Sequence, residues 1–432
     1  MSKARKFMLI SMLLFGSIPS LLQSQLPFMD DNGVARELIL DGKFKSVQIY
    51  REGWPMSYPV IKQRNDVPLI LEFDELADQA SDLSYKVLHC NADWTFSGLS
   101  EQEYLEGYME NQIRDYRTSF NTYFNYTHYR LQLPNKDLSF KLSGNYIVIV
   151  YRGYNESEVV LTRRFMITEN IISIEGRAKI PELNMYAGCC QEVDFTVVHA
   201  GYPINDPFSE SSVHIYQNGI WDLGIHDLKP FRVEQGRLIY DHQEENIFMG
   251  GNEFRLFDTK NTRTPTYYVQ SIDYVSPYFH FTLKPDKPNK AHLYFAKDDI
   301  NGRFFIESED GSEPAVDADY VFVHFQLDMP LPLYDGNVYI AGALTGWQFT
   351  EENRMNYDPE KGAYLQTLLL KQGVYNYRYV FVPDNASSID ISAIEGSHFE
   401  TQNEYLILFY HRVPGERYDR LIGHQVVHSN QQ

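Results

Sequence analysis

Short runs of alternating apolar and polar residues dominate the chain from Leu38 onward, and clusters of Gly, Pro, Asn and Asp separate them. Alternation with a period of two is typical of strands that bury one face, and closely spaced short strands are typical of β-sandwiches. The pattern therefore predicts an all-β fold. In the first part of the chain it predicts strands at 45–50, 69–73, 85–90, 126–133, 145–151 and 159–168.

The length of 432 residues exceeds one ordinary domain, because domains run to roughly 100–200 residues. The strand pattern breaks after Thr168, and an acidic stretch at 307–314 (ESEDGSEP) is typical of a solvated linker. We therefore predict three immunoglobulin- or fibronectin-like β-sandwich domains in tandem, at 26–168, 169–314 and 315–428.

Two local signals stand out within the first predicted domain. Ser100 followed by Glu103 is a capping-box pattern, and it predicts the one notable helix of the chain at 101–116. Ser143 and Gly144 precede Tyr146 and an Ile-Val-Ile-Val run. A tyrosine at this place predicts a tyrosine corner, in which the hydroxyl bonds back to the preceding loop.

The N-terminus has the three-part order of a secretory signal peptide. Lys3, Arg5 and Lys6 come first, an apolar run at 7–15 follows, and a small and polar stretch ends near Ser24. The apolar run is too short to span a bilayer, although an uncleaved anchor remains the alternative. We expect 1–24 to be a signal peptide and the mature protein to be exported and soluble.

Charge and composition narrow the class of function. The chain has 38 Lys and Arg against 58 Asp and Glu, a net charge of −20 without a basic block. A protein that binds nucleic acid relies on a cationic surface, so this class is disfavoured. The 32 Tyr and 27 Phe favour β structure with much aromatic surface, because aromatic side chains suit pleated sheets and binding faces.

No catalytic or metal-binding constellation is readable, since the chain lacks a phosphate loop, HExxH, GxSxG and CxxC. His89 and Cys90 are neighbours on a predicted strand and should point to opposite faces, which favours packing roles over catalysis. The adjacent Cys189 and Cys190 are expected to be free thiols, with a bond from one of them to Cys90 as the alternative. We therefore expect no enzyme activity, no cofactor and no metal.

Several local sequences of the first domain occur in an order and spacing that resemble a known family. They are 46–50 (SVQIY), 53–61 (GWPMSYPVI), 89–94 (HCNADW), 111–116 (NQIRDY), 126–130 (YTHYR) and 161–165 (LTRRF). Together with 418–423 (YDRLIG) near the end, they are similar to the type IX secretion system plug proteins of Bacteroidetes-type bacteria. The resemblance implies a periplasmic protein that closes the periplasmic opening of the outer-membrane translocon barrel, without catalysis.

The resemblance makes the translocon barrel the expected partner, and the aromatic segment 101–130 is the best candidate for the contact. Rigid aromatic side chains lose little conformational freedom in an interface, and tyrosine hydroxyls can still bond at its rim. The predicted contact residues are Tyr104, Tyr108, Tyr116, Phe120, Tyr123, Phe124 and Tyr126. The alternative, that half or more of these rings fill the core of the first domain, remains open.

The last predicted domain has a second resemblance, at 337–347 (NVYIAGALTGW) and 373–381 (GVYNYRYVF). These stretches are similar to glycogen-binding modules of the early-set immunoglobulin-like class. The resemblance implies sugar contacts from Trp347 and Arg378, although the second sugar-facing Trp of such modules is missing after Asp384. A carbohydrate-binding envelope protein is therefore the alternative function.

Overall fold

The computed structural model describes residues 26–64, 67–384 and 389–429, so the predicted signal peptide lies outside the described residues. Strands are the main regular structure of the described residues, which also contain four one-turn α-helices. The strands pair into sheets that pack in two layers and do not close into a barrel. The predicted all-β sandwich fold is confirmed.

The first domain is a sandwich of two mainly antiparallel sheets. One sheet has the order β1-β3-β8-β7, the other has the order β2-β11-β10-β4-β6, and β5 pairs with β9 beside them. The elements are β1 (Phe44–Arg51), β2 (Val60–Lys62), β3 (Leu69–Glu75), β4 (Leu83–Cys90), α1 (Glu101–Tyr104), β5 (Leu105–Gly107), β6 (Glu110–Gln112), β7 (Asp115–Thr118), β8 (Thr127–Leu133), β9 (Leu138–Phe140), β10 (Gly144–Arg152) and β11 (Val159–Thr168).

The predicted tyrosine corner is present in this domain. The Tyr146 side chain is buried, and its hydroxyl donates to the Leu142 carbonyl at 2.8 Å. The bond fixes the loop before β10 against the core. The same device recurs in the third domain, where the hydroxyl of Tyr375 donates to the Lys371 carbonyl. Each tyrosine follows a glycine by two residues, so the repeated G-x-Y was a readable signal in both places.

The predicted helix at 101–116 is wrong beyond its first turn. The capping box forms, because the Glu103 carboxylate accepts from the backbone N–H and the hydroxyl of Ser100 at 2.7 and 2.9 Å. The helix nevertheless ends at Tyr104, whose ring is buried in the core. Gly107 then takes a φ of +108°, and a Cβ there would overlap the carbonyl of Asp137, which lies just before the paired strand β9. Pairing with β9, β4 and β8 satisfies the following backbone better than a helix would.

The second domain is completed by the last two strands of the chain. Its sheets have the orders β12-β13-β17-β16, with β18 also on β13, and β15-β14-β28-β29. Its elements are β12 (Ser173–Lys179), β13 (Cys190–Val198), α2 (Pro207–Glu210), β14 (Ser211–Gln217), β15 (Ile225–Leu228), β16 (Arg232–Glu234), β17 (Arg237–Tyr240), β18 (Ile247–Met249), β28 (Glu404–His411) and β29 (Arg420–His428).

The third domain is inserted between β18 and β28. One layer contains β19-β27-β22 with β24 also on β27, and the other has the order β20-β21-β23-β26-β25. Its elements are β19 (Arg255–Asp258), β20 (Val269–Val275), β21 (Tyr278–Leu283), β22 (Phe304–Ile306), α3 (Pro314–Asp317), β23 (Tyr320–Asp328), β24 (Gly336–Ala341), β25 (Asn356–Asp358), β26 (Ala363–Lys371), β27 (Gly373–Pro383) and α4 (Ser392–Glu395).

The predicted boundaries 169–314 and 315–428 therefore need correction, because the sheets do not divide there. β14 pairs with β28, which joins residue 211 to residue 411 in register. The acidic stretch at 307–314 is a loop inside the third domain rather than a linker. It is held in place because the Asp310 carboxylate accepts from Thr262 and Gln372, and the Asp317 carboxylate accepts from the Ser312 N–H.

Candidate partner-binding surface

The aromatic segment between β7 and β8 lies against the third domain. The Phe120 N–H donates to the Val316 carbonyl at 2.9 Å. The backbone N–H groups of Tyr123 and Phe124 donate to the Asp319 carboxylate at 2.8 and 3.2 Å. Much of the predicted partner-binding segment therefore forms a contact between two domains of the same chain.

The side chains of this segment continue the contact. The Phe124 ring stacks on Tyr278 with ring centroids 4.2 Å apart. The Tyr126 ring meets Tyr320 edge to face at 5.4 Å, and the Tyr126 hydroxyl donates to the Ala318 carbonyl at 2.8 Å. Such ring pairs stabilise beyond the area that they bury. Phe124 and Tyr126 are thus engaged within the chain.

The seven predicted contact residues fall into three groups by burial. Tyr104 and Tyr126 are 2% and 1% exposed, so their assignment to a partner surface is wrong, and the open alternative of core filling applies to them. Phe124 is partly buried against the third domain. The exposed residues are Tyr108, Tyr116, Phe120 and Tyr123. The split follows contact with the rest of the chain, because Tyr104 packs in the core of the first domain and Phe124 and Tyr126 pack against the third domain.

Two exposed residues of the first domain, in the segment that contacts the third domain, join one exposed residue of the third domain to form a surface, which we call the aromatic ridge. It consists of Phe120, Tyr123 and Tyr274, and Phe120 is the most exposed at 76%. The rings of Tyr123 and Tyr274 are 5.6 Å apart across the domain boundary. Bonding between their hydroxyls raises the pKa of Tyr123. Sequence reasoning missed Tyr274, although the aromatic run at 274–281 (YVSPYFHF) was a readable signal.

A buried ion pair joins the first and third domains. The Asp74 carboxylate of β3 accepts from the Lys371 ammonium of β26 at 2.7 Å, and both side chains are 1% exposed. The same carboxylate accepts from the Tyr320 hydroxyl at 2.8 Å and lies 2.8 Å from Nδ1 of His128. We call these four residues the ionic seam.

The electrostatics of the ionic seam favour the charged form of Asp74, whereas burial lowers the pKa of Lys371 and the ion pair with Asp74 opposes that shift. Burial alone would raise the pKa of the Asp74 carboxyl, but the Lys371 ammonium and the His128 hydrogen bond hold that pKa below its ordinary value. Lys371 also donates to the Ala315 carbonyl at 2.8 Å and lies 4.1 Å from the centre of the Tyr126 ring. Because each donor has a partner, the seam fixes the two domains in one relative orientation.

The first and second domains meet through apolar side chains instead. Ile147 and Ile149 on the outer face of β10 pack in one cluster with Tyr216, Leu408 and Tyr410 of the second domain. All five are at most 1% exposed. We call these five residues the apolar seam. It explains why β10 is buried on both faces, since its other face fills the core of its own sandwich.

His89 and Cys90, which the sequence places side by side, are both engaged in packing. His89 contacts the rings of Tyr104 and Tyr146, whereas Cys90 lies in the cluster of the apolar seam, so the two point to opposite faces. Burial lowers the pKa of His89 to about 4 and raises the pKa of the Cys90 thiol. All three cysteines are free, and the Cys190 sulfur lies 3.6 Å from that of Met249.

The two residues of the carbohydrate hypothesis do not form an exposed platform. Trp347 is partly buried against Phe254, with ring centroids 6.1 Å apart, and it lines a cleft between domains together with Trp221. Arg378 is buried beneath the same Phe254 ring, 3.5 Å from its centre. Burial lowers the pKa of Arg378 to about 10. A guanidinium in this position cannot reach a sugar that is stacked on Trp347.

In the described part of the chain, a single group of acidic side chains lies close enough to share a metal ion: Glu192, Asp194 and Asp241. The Lys179 ammonium lies 3.0 Å from Glu192 and 2.7 Å from Asp194 and so neutralises them. Burial raises the pKa of Asp194 to about 6. Across the same described residues, helices long and apolar enough to cross a membrane are absent.

Comparisons with known proteins agree with this architecture. A family model described as the first domain of type 9 secretion system plug proteins matches residues 44–169. The crystal structure of a hypothetical protein from Parabacteroides merdae is similar over 91% of this chain and 98% of that chain, at 34% identity and a TM-score of 0.87. That protein therefore shares the inserted third domain as well as the first, because the match extends over nearly the whole chain.

Two other comparisons identify no relative. A putative membrane anchored protein from Corynebacterium diphtheriae aligns over 88% of this chain and 90% of that chain at 8% identity, and its TM-score of 0.13 indicates no shared fold. No curated protein matches the chain. With the matched first domain starting at β1 and ending just after β11, the chain belongs to the type IX secretion system plug protein family.

Proposed function

We propose that this protein closes the periplasmic opening of the outer-membrane type IX translocon barrel by binding to it, without catalysis. Membership in the plug family supports a plug-type role in type IX secretion and a place in the cell envelope. We propose in addition that the barrel is its partner, that it is located in the periplasm and that it has no catalytic activity.

The observation that carries the proposal is the aromatic ridge across two rigidly joined domains. Its three side chains are between 48% and 76% exposed, although aromatic residues are usually at least partly buried. A stable interface buries at least about 1,000 Å² in total, which one protruding side chain cannot supply. Tyr108 and Tyr116 of the first domain are also exposed.

The ionic seam gives the ridge the rigidity that a stopper needs. A partner that binds two domains at once benefits when their orientation is already fixed, because less conformational freedom is then lost on binding. The seam is connected to the segment that carries the ridge, since Tyr320 contacts Asp74 and also packs against Phe124 and Tyr126, which follow Tyr123 in the chain. The ridge is therefore expected to meet the barrel as one preformed surface.

Deletion of the protein tests the function. We expect cells that lack it to admit small solutes through the empty translocon, while the barrel is still assembled in the outer membrane. The measurement is uptake of an outer-membrane-impermeant dye, with the barrel detected in the same cells by immunoblotting. Unchanged uptake, with the barrel present and no other stopper bound to it, would contradict the proposal.

Substitutions in the ridge test the surface. We expect Phe120→Ala and Tyr274→Ala each to weaken binding to the purified barrel by about tenfold or more, as truncation of an aromatic anchor does. Phe231→Ala is the matched control, because Phe231 is 61% exposed on the second domain, away from the ridge. If both ridge variants bind like the control, the ridge is not the contact surface, and the deletion experiment still decides the function.

A further inference from the structure

The loop between β21 and β22 exposes its apolar residues to an unusual degree. Leu293 is 94% exposed and Phe295 is 72% exposed, which makes Leu293 the most exposed large apolar side chain among the described residues. Isolated surface leucines are common, but two such side chains at one loop tip are not explained by packing. Loop residues with this exposure are candidates for contact with something outside the protein.

The tip is held in place rather than free. The residue between the two apolar side chains, Tyr294, turns inward, and its hydroxyl donates to the buried Glu253 carboxylate. The same carboxylate accepts from the Gln402 N–H at 3.0 Å. At the base of the loop, the N–H groups of Asn289 and Lys290 donate to the Ile394 carbonyl at 2.9 and 3.0 Å. The alternation at 293–295 therefore directs Leu293 and Phe295 outward together.

The flanks of this loop are basic in an acidic protein. They carry four exposed lysines, none of which forms an ion pair within the described residues: Lys284, Lys287, Lys290 and Lys297. Of the two aspartates in the stretch 284–298, Asp286 is buried and bonded to Arg255 and three tyrosines, and Asp298 is exposed. Outside the stretch, Asp299 and Glu400 lie near Tyr294. The lysines are spaced three to seven residues apart and do not form a sequence block.

We propose that the loop at 284–298 docks the third domain onto an anionic phospholipid surface. Leu293 and Phe295 enter the boundary between headgroups and acyl chains, and the four lysines pair with headgroup phosphates. The combination matches what stable peripheral binding requires, because a small apolar anchor and a basic patch are each weak alone and sufficient together. The geometry favours a lipid over a protein partner, since the apolar pair protrudes at a tip and unpaired ammonium groups flank it.

This inference goes beyond the plug role and does not depend on it. Phospholipid vesicles contain no barrel, so a negative result with vesicles leaves the deletion experiment unaffected. The aromatic ridge likewise shares no residue with the loop. If both are correct, the protein contacts the barrel through the ridge and the surrounding leaflet through the loop.

Co-sedimentation of the full mature chain with vesicles tests the proposal. We expect binding to vesicles of phosphatidylcholine that contain phosphatidylglycerol, weaker binding to phosphatidylcholine alone, and loss of binding as salt is added. The double variants Leu293→Ser with Phe295→Ser and Lys290→Glu with Lys297→Glu are each expected to lower the partition coefficient by about tenfold.

The matched control combines Phe231→Ser with Lys136→Glu, which are exposed apolar and basic positions outside the loop, and it should bind like the wild type. All variants change exposed side chains, so unaltered circular dichroism confirms that they are folded. The proposal is overturned if the wild type does not sediment with anionic vesicles, or if the Leu293 and Phe295 variant binds like the control. Loss of barrel binding in the loop variants without any vesicle binding would assign the loop to a protein partner instead.

Discussion

The first domain is joined to its two neighbours by seams of opposite chemistry. The apolar seam with the second domain buries isoleucine, leucine and tyrosine side chains on a continuous sheet face. The ionic seam with the third domain is centred on one carboxylate with ammonium, phenol and imidazole partners. The first seam holds mainly through buried area, with one buried hydrogen bond from the Tyr410 hydroxyl to the Asn145 side chain, and the second holds through directed bonds.

The difference explains where exposed aromatic surface is found. An apolar seam excludes water over its whole area, so rings near it are buried, as Tyr216 and Tyr410 are. The ionic seam needs only a small dry centre around Asp74 and Lys371. Rings at its margin, such as Phe120 and Tyr123, can therefore remain exposed while the orientation of the two domains stays fixed. Function is expected at the margin of the ionic seam for this reason.

The largest expected effect comes from breaking the ionic seam on one side. Lys371→Ala leaves the Asp74 charge buried without its cation, which costs about 3–5 kcal/mol in comparable sites. We expect the third domain to loosen first, so that urea unfolding shows an added early transition and limited proteolysis cuts near the seam. Lys361→Ala, at an exposed position without an ion pair, is the control and should stay within about 0.5 kcal/mol of the wild type. Identical unfolding curves for both variants would show that the pair does not join the domains.

The apolar seam should respond to a cavity instead of to a charge. Leu408→Ala removes buried methyl groups between the domains and is expected to lower the free energy of unfolding by about 2–5 kcal/mol. Unlike Lys371→Ala, it should leave a single transition, because Leu408 lies in a core shared by the first and second domains. The measurement is urea unfolding followed by fluorescence and by circular dichroism. Separate transitions for the two probes would contradict a shared core.

Acid should affect the two seams in different pH ranges. Burial lowers the pKa of His214, which packs against Tyr216 and Tyr410 of the apolar seam, to about 3. The unfolded chain binds that proton near pH 6.5 and the folded chain does not, so stability falls as pH decreases below about 6.5, by about 2 kcal/mol at pH 5. His214→Gln should flatten this part of the stability profile.

The ionic seam should hold over the same range. Because the folded pKa of Asp74 lies below its unfolded value, its contribution is complete above about pH 4 and is lost only as pH falls through the folded pKa. The difference in thermal midpoint between the wild type and Asp74→Asn should therefore be constant from pH 7 to pH 5 and shrink below about pH 4. A difference that shrinks already near pH 6 would contradict control of the seam by the charge of Asp74.

The sequence predicts the features that depend on local pattern. Alternation identifies the strands and hence the sandwich class, and the G-x-Y motif identifies the corner at Tyr146, because both are set by residues close in the chain. The capping box at Ser100 is also real, but packing of Tyr104 into the core ends the helix after one turn. Local helix propensity is overridden where burial of a ring and pairing with a sheet favour extended backbone.

The domain boundaries and the site depend on pairs that are distant in the chain. Nothing within 404–411 indicates that this strand pairs with β14, and nothing near Asp74 indicates Lys371, which lies 297 residues away. The aromatic ridge has the same character, since it needs Tyr123 and Tyr274 from two domains. The sequence indicates that the aromatic segment is a candidate contact surface. It does not distinguish the buried rings of the segment from the exposed ones.

The smallest expected effect separates the two uses of the aromatic segment. Phe124 stacks on Tyr278 within the chain, whereas Phe120 is 76% exposed on the ridge. Phe124→Leu should therefore lower the free energy of unfolding by about 1 kcal/mol, the value of a well-placed ring pair. Phe120→Leu should change it by less than about 0.5 kcal/mol. Binding to the barrel should show the reverse order, with a clear loss for Phe120→Leu and little change for Phe124→Leu. If one variant lowers both stability and binding while the other lowers neither, the segment does not divide between seam and ridge, and the margin of the ionic seam is not a separate functional surface.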